Sequence, residues 1–482
     1  MRFQLVFSNI GKILLIIGGC MIFPLLLSLY YQEKDAPALF TAMIITILAG
    51  GLLSFFFKST ETIRQREGFA IVTLGWIMAS LFGALPYMLT GTLTSFTDAF
   101  FETMSGFTTT GASVLSNIEV ISHGVVFWRC LTHWLGGMGF MLLFVALLSQ
   151  IGGGGLQMFK AEAPGGRLAE KIKPRIQDSA KILWLTYCVL SLGLMFCLLL
   201  GGMNLFDSLC HAFGTMATGG FSTKSQNIGY YNSPYIQWVI TLFMFGAGTN
   251  LALFYHSIYK RSGAFRKNEE FRLYVLIILI GVILVFFDLI KNQPGGVEET
   301  LRMAAFQVVS ILTTTGYASV DFNQWPIFSK IIIILLMFVG GCSGSTGGAI
   351  KVGRLLILIK HTSVEIFRLI HPRSIKYLKI DNKIVPENIV LNTLQFFFLY
   401  ITIFFIGTAI MGALGLDLVE SLTAVISSLS NVGFGLGDVG PSGSFAHIPG
   451  VGKWVLSFLM LLGRLEIFTV LVLFLPEVWK KA

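Results

Sequence analysis

Apolar runs of about 20 residues alternate with shorter polar segments along the whole chain, near 4–29, 37–57, 69–91, 124–150, 181–202, 234–258, 272–291, 327–360, 389–413 and 451–476. Runs of this length suit a hydrocarbon core of roughly 30 Å, so the pattern predicts ten membrane crossings. The run at 327–360 is too long for one straight helix. VGGCSGSTGGA at 339–349 interrupts it with glycines that disfavour helix, which predicts a broken span there.

Between alternate runs lie four amphipathic stretches too short to cross: DAFFETMSGF at 98–107, DSLCHAFGTM at 207–216, ETLRMAAFQVVSIL at 299–312 and DLVESLTAVISSL at 417–429. Each begins with an acidic residue, which favours the positive end of a helix dipole and marks a helix start. After each comes a polar, glycine-containing step: FTTTGAS at 107–113, ATGGFS at 217–222, ILTTTGYA at 311–318 and NVGFG at 431–435. Aligning these steps puts Gly111, Gly219, Gly316 and Gly433 in register, 108, 97 and 117 residues apart. The predicted unit is span, short helix, polar loop, span, repeated four times in one direction.

Non-helical backbone at membrane depth is tolerable only where protein buries it or water lines it. Four such loops, each at the negative end of a short helix, suit a cation pore in which backbone carbonyls replace the hydration shell. The residues expected to line it are Thr109, Thr110, Gly111, Thr218, Gly219, Thr314, Thr315, Gly316, Asn431, Val432 and Gly433. A cation is expected, held at these residues only, with no catalytic residue and no cofactor bound by the chain itself.

Composition supports the membrane setting: 54% of residues are hydrophobic, 43 are phenylalanine and the mean hydropathy is +0.77. The net charge of +9 needs no nucleic acid to explain it, because 26 of the 34 lysines and arginines lie in alternate connections and at the two ends. The positive-inside rule then places both termini in the cytoplasm. The opposite connections hold Asp98, Glu102, Asp207, Glu298, Glu299, Asp417 and Glu420, giving an acidic outer face. The six cysteines form no CxxC pair and sit mostly in apolar runs, so neither a disulfide frame nor a zinc site is expected. The seven histidines take no metal-ligand spacing, and GLGDVG at 435–440 lacks the strand that a dinucleotide loop requires. GGGG at 152–155 suits a hinge.

GFTTTGA at 106–112, HAFGTMATGGFST at 211–223, FQVVSILTTTGY at 306–317, GGCSGSTGG at 340–348 and GRLEIFT at 463–469 together resemble the Trk/Ktr/HKT potassium transporter superfamily, most closely its bacterial TrkH type. The resemblance covers essentially the whole chain and implies that the cation is potassium. It implies an all-α polytopic membrane protein, with two extra N-terminal helices ahead of four helix, pore-helix, helix repeats in pseudo-fourfold symmetry around one pore. The corresponding division is 1–60 for the extra helices and 61–155, 156–260, 261–362 and 363–482 for the repeats. It further implies a homodimer in the bacterial inner membrane, surrounded by lipid and regulated by a cytosolic TrkA-type ring that carries ATP/ADP or NAD(H). Ala217 and the Asn431–Val432 pair depart from a symmetric filter, whereas Gly111 resembles the potassium-selective members.

The glycine-rich interruption is the expected gate, through Gly340, Gly341, Gly344, Ser345, Thr346, Gly347 and Gly348, with Gly344, Ser345 and Thr346 supplying polar groups in the closed state. Arg464, taken as the one arginine deep within a span, is its expected electrostatic counterpart, because a charge there is costly without a polar cavity. A potassium symporter coupled to H⁺ or Na⁺ is the competing function. An intramembrane enzyme is third, since no acid–base pair or nucleophile dyad lies at membrane depth.

Overall fold

The structure, a computed structural model, describes residues 1–58, 63–138, 176–260, 263–292, 295–374 and 376–480. The inner half of the expected 124–150 span, the GGGG run at 152–155 and most of the basic connection at 151–181 lie outside the described residues.

Two N-terminal segments precede the repeats: Phe3–Cys20 continued by Ile22–Tyr30, and Ala36–Phe56. They cross where Gly11 faces Gly50, so closely that a Cβ on either would sit 2.7 Å from the other's carbonyl oxygen. Small residues allow this approach, which suits a setting where lipid gives helices no hydrophobic reason to associate. On the far side Leu48, Leu52, Phe55 and Phe56 are each more than half exposed, as expected for a lipid-facing surface.

Four repeats follow. In the first, Gln65–Gly83 and Leu85–Leu89 lead to pore helix 1, Phe96–Phe107, and then to His123–Gly137. The second comprises Ile176–Leu200, pore helix 2 at Leu205–Met216, and Pro234–Ala247 with Leu251–Lys260. The third has Glu269–Asn292, pore helix 3 at Val297–Leu312, and Ile327–Met337 with Val352–Ile370. The fourth runs through Glu387–Ala413, pore helix 4 at Leu418–Ser430, and Gly450–Arg464 with Phe468–Leu471. The pore helices are buried over most of their length, although each is too short to cross.

The break expected in the third repeat is present, and it has counterparts. The closing helix of repeat 2 bends by 93° after Ala247, and that of repeat 4 bends by 112° after Arg464. Close packing explains why. At the two bends, a Cβ at Gly248 would lie 2.6 Å from the Thr313 side chain at the end of pore helix 3, and one at Gly463 would strike the Leu429 carbonyl near the end of pore helix 4. In repeat 4 the chain then turns through Glu466 and Ile467, at φ of 58° and 56°. Such values are costly for a β-branched residue.

One small sheet departs from the all-helical expectation: Lys379–Ile380 pairs antiparallel with Lys383–Ile384 in the connection between repeats 3 and 4. Asp381 and Asn382 both take positive φ, 49° and 60°, the two-residue turn that matches strand twist. Lys360 Nζ donates to the Lys379 carbonyl at 2.8 Å and pins the hairpin to the Val352–Ile370 helix.

Candidate functional site

Each pore helix ends in the same way. The N–H of Thr110 donates to Ser105 O at 2.9 Å, Gly219 to Gly214 O at 2.8 Å, Thr315 to Ser310 O at 2.8 Å and Val432 to Ser427 O at 2.8 Å. These six-to-one bonds are Schellman C-caps, which require the preceding residue to be left-handed. Those residues are Thr109, Thr218, Thr314 and Asn431, with φ of 53°, 53°, 57° and 55°. Asparagine is a common choice there. Threonine is not, because its branched Cβ is strained at positive φ, and strain held at three equivalent points is a mark of a functional site.

Two residues later the chain is left-handed again, at Gly111 (86°), Gly220 (80°), Gly316 (72°) and Gly433 (100°). Alternation of this kind turns successive carbonyls toward one side, as an ion-binding loop requires. It also corrects the sequence register. The equivalent of Gly111 is Gly220, and Gly219 stands in the position of Thr110, Thr315 and Val432. Adjacent glycines at 219 and 220 offered two alignments, and only the backbone angles separate them.

The four loops close into a ring. A Cβ on Gly111 would fall on Gly219 O, one on Gly220 on Thr315 O, one on Gly316 on Val432 O and one on Gly433 on Thr110 O, all within 3.0 Å. Every loop thus packs a bare glycine against a carbonyl of the next, and the fourth returns to the first. Side chains reinforce the circle: Asn431 Nδ2 donates to Thr110 Oγ1 at 2.9 Å and to Met460 O at 3.0 Å. All the residues expected at the filter are brought together here.

The 339–349 segment lies directly against the rim of this ring away from the vestibule described below. Gly348 N donates to Thr314 Oγ1 at 2.7 Å, and the hydroxyls of Thr218 and Thr346 are 3.2 Å apart. Arg464 completes the cover: Nη1 donates to Thr109 Oγ1 at 3.3 Å and Thr346 O at 2.6 Å, and Nη2 to Gly136 O at 2.5 Å and Gly137 O at 2.8 Å. The guanidinium therefore reaches from repeat 4 to repeat 1 and pins the segment between them. Three of the four strained first-position residues are capped by the segment or by this arginine. The approach of Gly347 to Thr313 O (2.8 Å to a Cβ) and of Gly348 to Ser430 O leaves no room for side chains.

Further contacts tie the segment to the side away from the pore helices. Glu270 Oε1 accepts from Ser343 N at 2.5 Å, Lys351 Nζ donates to Gly347 O, and Cys342 N donates to Gly248 O at 2.8 Å, at the bend of repeat 2. Gly340 N bonds Ile350 O at 2.9 Å, closing the base of the loop, and Gly341 O accepts from Val352 N at 3.1 Å. Ser345 departs from expectation, since its buried hydroxyl meets no protein partner. A cavity of about 160 Å³ opens below, lined by Trp76, Gly137, Gly344–Ala349, Lys351 and Gly463–Glu466. On the pore-helix side a vestibule of about 490 Å³ is lined by residues that include Gly111, Gly220, Arg129, Lys224 and Asp321.

Several residues escaped the sequence reading. Arg464 is not the one arginine deep within a span, for Arg129 on His123–Gly137 is 2% exposed. Its Nε donates to Glu102 Oε1 at 2.7 Å, and Glu102 also accepts from Ser113 Oγ and Val114 N, each at 2.9 Å. Arg129 Nη1 reaches Ser222 O at 3.1 Å, so one buried ion pair fixes the exits of loops 1 and 2. Its signal was a charge inside an apolar run, the same signal that singled out Arg464. The histidine spacings also hid a group: ligand atoms of Glu420, Asp438 and His447 lie within 4.8 Å of one another, with two of the three residues exposed.

A family model described as TrkH, cation transport protein, matches residues 35–481. The chain is 36% identical over 489 residues to the Trk system potassium uptake protein TrkH of Escherichia coli K12 and 37% identical over 484 residues to that of Halomonas elongata, covering both partners fully in each case. Its fold is similar to the crystal structure of the potassium transporter TrkH from Vibrio parahaemolyticus, with a TM-score of 0.89 at 32% identity over the whole of both chains.

Proposed function

Starting from the premise that this chain belongs to the TrkH family of cation transport proteins, we propose that it takes up potassium through a gated, channel-like pore. The ion passes through the ring of left-handed loops, whose carbonyls stand in for its hydration shell. The family is one of transporters rather than enzymes, and several apolar helices make the chain a multi-pass membrane protein. The membrane potential supplies the driving force. The filter comprises Thr109–Gly111, Thr218–Gly220, Thr314–Gly316 and Asn431–Gly433, and the gate is the 339–349 segment held by Arg464.

The observation that carries this reading is the seating of one segment on Thr109, Thr218 and Thr314 through Arg464, Thr346 and Gly348. A conduction path that ends on hydrogen-bonded backbone is shut, and glycines allow a second arrangement that clears it. The basic connections put both termini in the cytoplasm of a bacterial inner membrane. They also offer a face for a soluble TrkA-type ring carrying the regulatory nucleotide, and the assembly is a homodimer. The four-repeat division of the sequence is kept.

The test is reconstitution of the purified chain in liposomes with a potassium gradient. Flux that brings the vesicle to the K⁺ equilibrium potential supports a uniporter, and flux that carries H⁺ or Na⁺ in the same direction and requires that ion's gradient supports the coupled symporter instead.

A further inference from the structure

In loops 1 and 3 a pair of hydroxyls clips the turn: Thr108 Oγ1 to Thr110 Oγ1 at 2.8 Å, and Thr313 Oγ1 to Thr315 Oγ1 at 2.7 Å. Loop 2 has Ala217 and Gly219 at the equivalent positions and cannot form the clip. Its place is taken by His133, fully buried on His123–Gly137. The imidazole stacks on Phe221 with centroids 3.9 Å apart and planes 15° from parallel. Phe221 N donates to its Nδ1 at 3.4 Å. The same ring fills the space beside Gly219, where a Cβ would lie 2.5 Å from Cγ and 2.7 Å from Cε1.

We infer that His133 is a positioning residue for the filter, replacing in the second repeat the threonine clip of the first and third. Gly219 is not left-handed, so its lack of a side chain is not a backbone requirement. It is bare because the imidazole occupies the room. Arg129, one turn earlier on the same helix, places its Cζ 3.5 Å from the Phe221 ring and bonds Ser222 O, so the helix grips the loop immediately beyond Gly220 at two points. Loop 2 is thus aimed from behind by a neighbouring repeat rather than by its own hydroxyls.

This inference rests on the filter reading above, and the test separates the two. K⁺ and Na⁺ permeabilities are compared for His133→Ala, His133→Phe, Gly219→Ala, the His133→Ala/Gly219→Ala pair and, as reference, Gly316→Ser, with thermal unfolding measured for each. The expected K⁺/Na⁺ ratio falls about fivefold in His133→Ala, which loses both the stack on Phe221 and the hydrogen bond from Phe221 N. It falls in Gly219→Ala, where the new methyl collides with the ring. It recovers in part in the pair, where that methyl finds room and stiffens the loop. His133→Phe keeps the stack and loses only the acceptor, so a smaller fall is expected, and this variant decides the matter should the alanine fail to fold. An unchanged ratio in folded His133 variants beside a lowered one in Gly316→Ser overturns the positioning role alone. No change in any variant, Gly316→Ser included, overturns the filter reading and this inference with it.

Discussion

The two sides of the ring of loops are built by opposite rules. On the pore-helix side the four repeats converge on one backbone solution, a Schellman cap followed by a left-handed glycine, although their sequences read TTTG, ATGG, TTTG and SNVG. On the other side no two of the described repeats agree. The closing helix bends by 93° in the second, gives way to the 339–349 segment in the third, and bends by 112° beside an arginine in the fourth. Ion coordination needs many equivalent oxygens at fixed positions, which symmetry supplies. A gate needs one element with two arrangements, which symmetry would quadruple. We propose on this ground that selectivity and gating sit in separate parts of the chain, a few ångströms apart.

The most damaging way to break the symmetric half is to remove its support. Glu102 is fully buried against Arg129, and Glu102→Ala leaves an unpaired buried cation. The expected cost is ~3–5 kcal/mol, read as a lower unfolding temperature in detergent. Loss of selectivity without loss of stability would instead make the pair a filter element only.

Next in size is Gly316→Ser. The added Cβ at φ of 72° is strained and collides with Val432 O, so two neighbouring loops move together. A fall in K⁺/Na⁺ permeability ratio of about tenfold is expected, since ~1.4 kcal/mol of misaimed coordination is enough and strained positive φ alone costs that order. Equal ratios in flux assays would remove the ring from the account.

How much of this was legible follows the same division. The pore helices could be read from an acidic first turn ahead of an amphipathic stretch, and structure places acids in the first turn of all four. The third-repeat break could be read because five glycines within 340–348 leave no other reading. The register of loop 2 could not, because two glycines in a row make both alignments chemically acceptable. Nor could the bends of repeats 2 and 4, where Gly248 and Gly463 look like ordinary packing residues until a pore-helix end comes against them. Arg129 was legible by the same signal as Arg464, a charge inside an apolar run, but its pairing with Glu102, 27 residues away, was not.

A smaller effect is expected on the asymmetric side. Arg464→Ala removes four hydrogen bonds that pin the segment across the cavity, and basal potassium flux should rise several-fold without a partner ring, on the scale of ~1 kcal/mol per lost bond shared between two states. Arg464→Lys should rise less, since one ammonium cannot reach all four acceptors. Unaltered flux in both would move the gate to the inner ends of the helices.

The separation of selectivity from gating is tested most directly by deleting residues 343–347 and recording currents in a planar bilayer with opposed K⁺ and Na⁺ gradients. The account predicts a higher basal conductance that no longer depends on a regulatory ring, with a reversal potential still set by potassium. A folded deletion variant that conducts no more than the parent, or one whose reversal potential moves to that of a non-selective pore, would contradict it.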